Sequence, residues 1–395
     1  MRADPLIAPH RPLFLVGGLL WVSSTVWWMV QLWEPTSTPL DVTILHGLLM
    51  GLSFMPCFIA GFCFTTVPRW LGLPPVDARR LSASVTALLL GWLLVLAAAG
   101  PLASMTLLTW GLALAALGLA GLSGQLLGLC RRGAAGDAHH AYAVTSGLAV
   151  CALALALAAA GAALMQPLLI RQAARLGLWF GVATVFAVAL QRLSPFLHQQ
   201  GKRAPWLLIL LLLGTWLRGG LDLAAPWLAA PPAWMTMPAA LACMGLAAVL
   251  LKASLRRELA AALRTPLLAQ LHLGILWLAL SFALEAAALL LTSFGQAGRL
   301  GLLPLHALSL GFMGTTLLAM VSRVSAVQHG RSIAVDALLW ALQCLLQAST
   351  LARMLGAMAP EMLGPAAGGF ALLAVGWTLR YGPWLLRGRT KPAKD

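Results

Sequence analysis

Two histidines bracket the segment PLHALSLGFMGTTLLAMVSRVSAVQHGR, residues 304–331: His306 near its start and His329 near its end. Neutral imidazole is a good ligand for iron or copper, and ionisable groups are costly in hydrocarbon, so histidines at the ends of an apolar helix raise the question of ligation. At 1.5 Å per residue the intervening helix is about 34 Å long, roughly the thickness of a bilayer core. One metal ion cannot be shared between them. If both ligate, there are two sites on opposite sides of a membrane.

The other residues with chemistry to offer are sparse. His46 opens HGLLMG and His306 opens HALSLG, a shared H-x-L-x-x-G in which the glycine would relieve crowding near a bulky group. His10, His139, His140, His198 and His272 complete the histidines, and His139 and His140 are read as part of a solvated loop because successive helical residues do not face one target. Glu285 and Arg353 are ionisable residues inside apolar runs. Glu285 is expected to pair with Arg353 or Arg218, or to serve as a proton relay or a neighbour of a haem propionate. Arg218 and Asp222 have the i,i+4 spacing of a helical ion pair. Gln343 and Gln347 stand one turn apart, and apart from these the middles of the apolar runs read as nearly devoid of polar groups. Met313 and Met320, seven apart, suit copper(I) chemically but fit packing as well. The six cysteines show no CxxC pair and no zinc-like spacing, which points to small apolar packing, with Cys63 facing a copper ion as the alternative.

The elements that must position these groups are membrane spans. The chain is 61% hydrophobic and 9% charged, against roughly 25% charged residues in an average soluble domain. Twelve apolar runs are long enough to cross: 13–33, 44–67, 81–99, 104–129, 141–165, 171–191, 204–223, 233–252, 267–292, 301–322, 333–356 and 362–386. The fold class is therefore all-α, a polytopic membrane helix bundle forming a single transmembrane domain over residues 1–395. A net charge of +15 would suggest nucleic acid in a soluble protein. Here the basic residues fall between apolar runs, and nucleic acid is excluded as a partner in favour of the lipid bilayer. Alternate connections receive 21 of the 26 basic residues, the other side keeping Arg171, Arg175, Arg218, Arg299 and Arg353. By the positive-inside rule the N-terminus and the C-terminus are both cytoplasmic. The first apolar run has no small-residue cleavage pattern after it and reads as a retained span.

Topology then sorts the histidines by depth. His46 and His306 open helices that both run from outside to inside, so they share the outer level. Two neutral imidazoles at one level of an apolar bundle suit the axial positions of a haem iron. The plainer alternative is that each sits at the interface and makes a hydrogen bond. His272, His329 and His10 belong to the inner side, where His272 is the least solvated and the best candidate for a second metal site.

The segment HALSLGFMGTTLLAMVSRVSAVQHGR resembles the signature of the NnrS family, matched here by His306, Ala307, Leu308, Gly311, Gly314, Met320, Arg323, Val324, His329, Gly330 and Arg331. HRPLFLVGGLLW from His10, IAGFCFTTVPRWLG from Ile59 to Gly72, and LHLGILWLALSF from Leu271 resemble the family as well. The resemblance implies a bacterial inner-membrane protein with multiple spans that binds haem and copper and is linked to denitrification and to nitric oxide and nitrosative stress. It adds Arg323 to His46 and His306 as cofactor-binding candidates, with His46, His306, His272, His329 and His10 as metal candidates. One departure bears on copper: many members carry a histidine-x-histidine-glutamate cluster where this chain has His46, Gly47 and Leu48.

Two functional classes follow. The first is a haem-binding protein, with haem of the b type and possible copper, that binds or senses nitric oxide; any turnover would be redox chemistry at the haem. A nitric oxide or oxygen reductase of the haem-copper type would need a denser inner set of histidines. The second class is a secondary transporter of a small solute, whose marks are broken helices in matched halves and a polar midplane site. The sequence leaves oligomeric state open.

Overall fold

The computed structural model describes residues 8–133, 138–194, 198–199, 202–203, 205–228, 231–255, 264, 266–330 and 336–387. Among them twelve helices are long and apolar enough to cross a membrane. They are α1 (His10–Trp33), α2 (Val42–Trp70), α3 (Ala78–Ala99), α4 (Met105–Arg132), α5 (Ala138–Ala163), α6 (Pro167–Leu193), α7 (Pro205–Trp227), α8 (Ala233–Ser254), α9 (Leu267–Ser293), α10 (Leu303–Gln328), α11 (Ala337–Leu355) and α12 (Pro360–Leu386). The one strand pairing among the described residues is β1 (His198–Gln199) with β2 (Lys202–Arg203), antiparallel. Helices suit this sequence because a spanning segment must satisfy its backbone internally. The twelve spans and the all-α class expected from hydropathy are thus observed. Of the basic residues that set the topology, Arg2, Arg256, Arg257, Arg331, Arg389, Lys391 and Lys394 lie outside the described residues, as do positions 204 and 333–335 of the expected spans.

Several helices begin earlier than hydropathy suggests. Helix α5 starts at Ala138, so His139 and His140 are helical and His140 is buried, which corrects their reading as a solvated loop. The middles of the spans are also more polar than expected: Ser24, Ser53, Thr315 and Thr316 are all buried there. Most such hydroxyls hide their polarity by bonding a carbonyl four residues back, as Thr25 does to Trp21 and Thr145 to Ala141.

Two compact units are distinguished. The first comprises residues 1–185, 321–332 and 374–395, and the second residues 186–320 and 333–373. In the first unit α4 packs between α3 and α5, α1 packs on α2, and α5 on α6. Small residues let α3 and α4 come together closely: a Cβ on Gly111 would stand 2.8 Å from the Gly91 carbonyl oxygen. An aromatic core joins α1, α2 and α12, with Trp21 stacked on Phe54 at 5.7 Å and Phe58 edge-on to Trp377 at 5.2 Å. In the second unit α8 packs on α9 and α7, and α9 and α11 flank the first turns of α10.

A four-helix period runs through the chain. Helices α2, α6 and α10 are the most buried spans. Each widens into a π-helical segment, Leu49–Ser53, Gly177–Val182 and Ala307–Gly314. Each is entered through the pattern x-x-L-x-x-G, opening at His46, Leu176 and His306, positions spaced by 130 residues. The helices one earlier in the cycle, α1, α5 and α9, each carry a buried histidine in their first two turns: His10, His140 and His272. A π-helix is rare and marks functional segments more often than ordinary turns.

Candidate functional site

His306 is the best-defined candidate ligand. Helix α10 enters through Leu303–His306, with Pro304 at its start, where a missing N–H costs nothing. The imidazole Nδ1–H donates to the Leu302 carbonyl at 2.9 Å. A carbonyl can only accept, so this bond fixes the tautomer and leaves the Nε2 lone pair free to ligate. Histidines bound to metals are held in this way by a bond on the other nitrogen. The ring is buried, 8% exposed.

Behind His306 the π-helical segment Ala307–Gly314 faces α9 and α11. The sequence pattern suggested that Gly311 makes room for a bulky group, and it does: a Cβ there would lie 2.5 Å from the indole of Trp277. The Trp277 Nε1–H donates to Gln347 Oε1 at 2.6 Å, and the Gln347 amide donates to Thr315 Oγ1 at 3.0 Å. These bonds tie α9, α10 and α11 together beside the widened turn. Arg353 lies within electrostatic reach of His306.

His46 belongs to the first unit and His306 to the second. Asp41 caps the start of α2, accepting from the Thr43 backbone N–H at 2.8 Å, and so sets the entry of the helix that carries His46. His46 is half-buried, its ring 3.9 Å from that of Trp28 and tilted by 41°.

The remaining candidates are placed as follows. His10 is buried edge-on to Phe14 at 5.7 Å, while the neighbouring Arg11 donates to the Arg387 carbonyl at 2.9 Å. His329 is buried and stacked on Trp384, rings 5.4 Å apart and nearly parallel. His272 is buried in α9. Arg323 is exposed on α10. Met313 is fully buried, and five cysteines are buried while Cys344 is exposed. Glu285 pairs with Arg218 at 2.6 Å, and Arg218 also reaches Asp222 at 3.8 Å, so one guanidinium serves both carboxylates expected to need it.

Among the described residues no three His, Cys, Asp or Glu side chains are gathered as a metal-holding group. His306 offers a single imidazole lone pair, which fits a group that brings most of its own ligands, as a porphyrin does. Sequence reasoning missed Trp28, Trp277, Thr315 and the Leu302 carbonyl, whose roles depend on which faces meet and leave no mark on local composition. A comparison with curated proteins found no match. The model of the family described as NnrS protein matches residues 6–389, nearly the whole chain. The chain belongs to the NnrS family.

Proposed function

We propose that this protein is a haem-binding protein of the bacterial inner membrane, with both termini cytoplasmic, which takes part in the response to nitric oxide and nitrosative stress. The observation that carries the reading is the contact of a buried imidazole: His306 Nδ1 lies 2.9 Å from the Leu302 carbonyl, which can only accept, so the ring donates there and would present Nε2 as a ligand. A bound haem would supply an iron that binds nitric oxide directly. The chain's own residues do the rest. His306 would hold the iron, and Arg353 would offset the charge of a propionate. The Trp277–Gln347–Thr315 bonds would fix the segment behind the ligand. An apolar bundle admits a small uncharged gas and excludes charged competitors. His46 is the second candidate ligand, supported by its place at the position equivalent to His306 in the four-helix period. Binding accounts for these features without turnover.

Anaerobic titration of the dithionite-reduced, purified protein with nitric oxide tests the proposal. A saturable shift of the Soret band is expected. A folded protein that carries no haem, or a Soret band indifferent to nitric oxide, would overturn it.

A further inference from the structure

The second unit contains a seam of polar side chains that shares Trp277, Gln347 and Thr315 with the haem reading and otherwise consists of groups that reading leaves unused. On α9, Gln270, Gly274, Trp277, Ser281 and Glu285 recur at intervals of three and four residues and so form one stripe about 22 Å long at 1.5 Å per residue. Gly274 faces Thr316 of α10, whose hydroxyl would stand 2.9 Å from a Cβ on that glycine. Trp277 reaches Gln347 of α11 and through it Thr315. Gln343, one turn from Gln347, lies on the same side of α11.

Among the described residues, three members of this seam are buried without a hydrogen-bond partner. Both amide atoms of Gln270, both of Gln343 and the hydroxyl of Thr316 bond to nothing among the described residues, and these side chains are 0–1% exposed. Thr316 differs from Thr215 and Thr350, whose hydroxyls bond the carbonyls of Leu211 and Leu346. A buried primary amide left unpaired is costly, so two on one seam call for a partner that the protein itself does not supply. Such groups hold ordered water when there is room for it.

We propose that this seam is a proton-conducting track through the second unit, in which water bound by Gln270, Thr316 and Gln343 passes protons toward Gln347, Ser281 and the buried Glu285. Protons hop along hydrogen bonds, so no amide needs to titrate. Each proton delivered at one end is matched by one taken up at the other. The stripe ends at the one carboxylate on its path, which Arg218 holds at 2.6 Å. The track stands apart from the haem reading, because it is tested by ion flux and not by absorbance.

The full-length protein is reconstituted in liposomes containing a pH-sensitive dye, and a potassium gradient with valinomycin imposes a potential. Wild-type vesicles are expected to change internal pH faster than protein-free vesicles. Thr316→Val and Gln343→Leu should each slow this by about tenfold, the effect of raising a barrier by ~1.4 kcal/mol. Cys344→Ser, exposed beside Gln343, should leave the rate unchanged. Thr316→Val preserves shape and carries the test if Gln343→Leu fails to fold. Wild-type flux equal to that of protein-free vesicles, or variants that conduct like wild type, would overturn the proposal.

Discussion

At the scale of residues, burial and one hydrogen bond hold the His306 imidazole with one nitrogen occupied and the other open. His306 stood out in the sequence because an imidazole is conspicuous in an apolar run. Its tautomer did not, because that depends on the Leu302 carbonyl 2.9 Å away. Gly311 offers a sharper test of local packing. Adding a methyl group toward the Trp277 ring should destabilise Gly311→Ala by about 1–3 kcal/mol, visible as a lower Tm, whereas unchanged melting would mean that the ring moves aside freely. Asp41 tests the entry of α2. The Thr43 hydroxyl and backbone N–H hold its carboxyl below the ordinary aspartate value. A lowered folded value means that this stabilisation is present above about pH 4, the unfolded range, and is lost as pH falls through the lowered value. Asp41→Ala should cost about 1 kcal/mol at neutral pH, while Asp41→Asn should keep the cap and abolish its loss on acidification. Tm measured at pH 7 and in acid separates the two.

At the scale of elements, hydropathy located all twelve spans, because a spanning helix needs a length of apolar sequence whatever its neighbours are. It did not reveal the π-helical segments of α2, α6 and α10, since a shift from i+4 to i+5 bonding leaves composition unchanged. It also set the start of α5 three residues late and so left His140 in a loop. The pair Arg218–Glu285 was among the expected alternatives, and the reach of Arg218 to both acids settles which cation serves. Removing the guanidinium leaves Glu285 buried and unpaired, so Arg218→Met should destabilise by about 3–5 kcal/mol. The double variant Arg218→Met, Glu285→Leu should regain most of that loss. A double variant no more stable than Arg218→Met would show that the ion pair is not the source of the effect.

At the scale of the whole molecule, three cycles of four helices explain why His46 and His306 share a local pattern: they occupy the same place in the first and third cycles. The middle cycle carries Leu176 where the others carry histidine, so the period is legible in the 130-residue spacing and the shared Leu and Gly and not in the histidine itself. The topology rests on the bias of 21 in 26 basic residues to one side. A C-terminal reporter that fluoresces only in the cytoplasm should therefore be bright, and a dark reporter with active periplasmic phosphatase fusions would reverse the orientation. Haem ligation by His306, as proposed, makes the absorption of the protein depend on one side chain. The reduced-minus-oxidised absorption spectrum of purified wild type, His46→Ala and His306→Ala tests it most directly. Soret and alpha bands are expected in the wild type and should vanish in a folded His306→Ala, whereas bands that persist unchanged in that variant would refute ligation by His306.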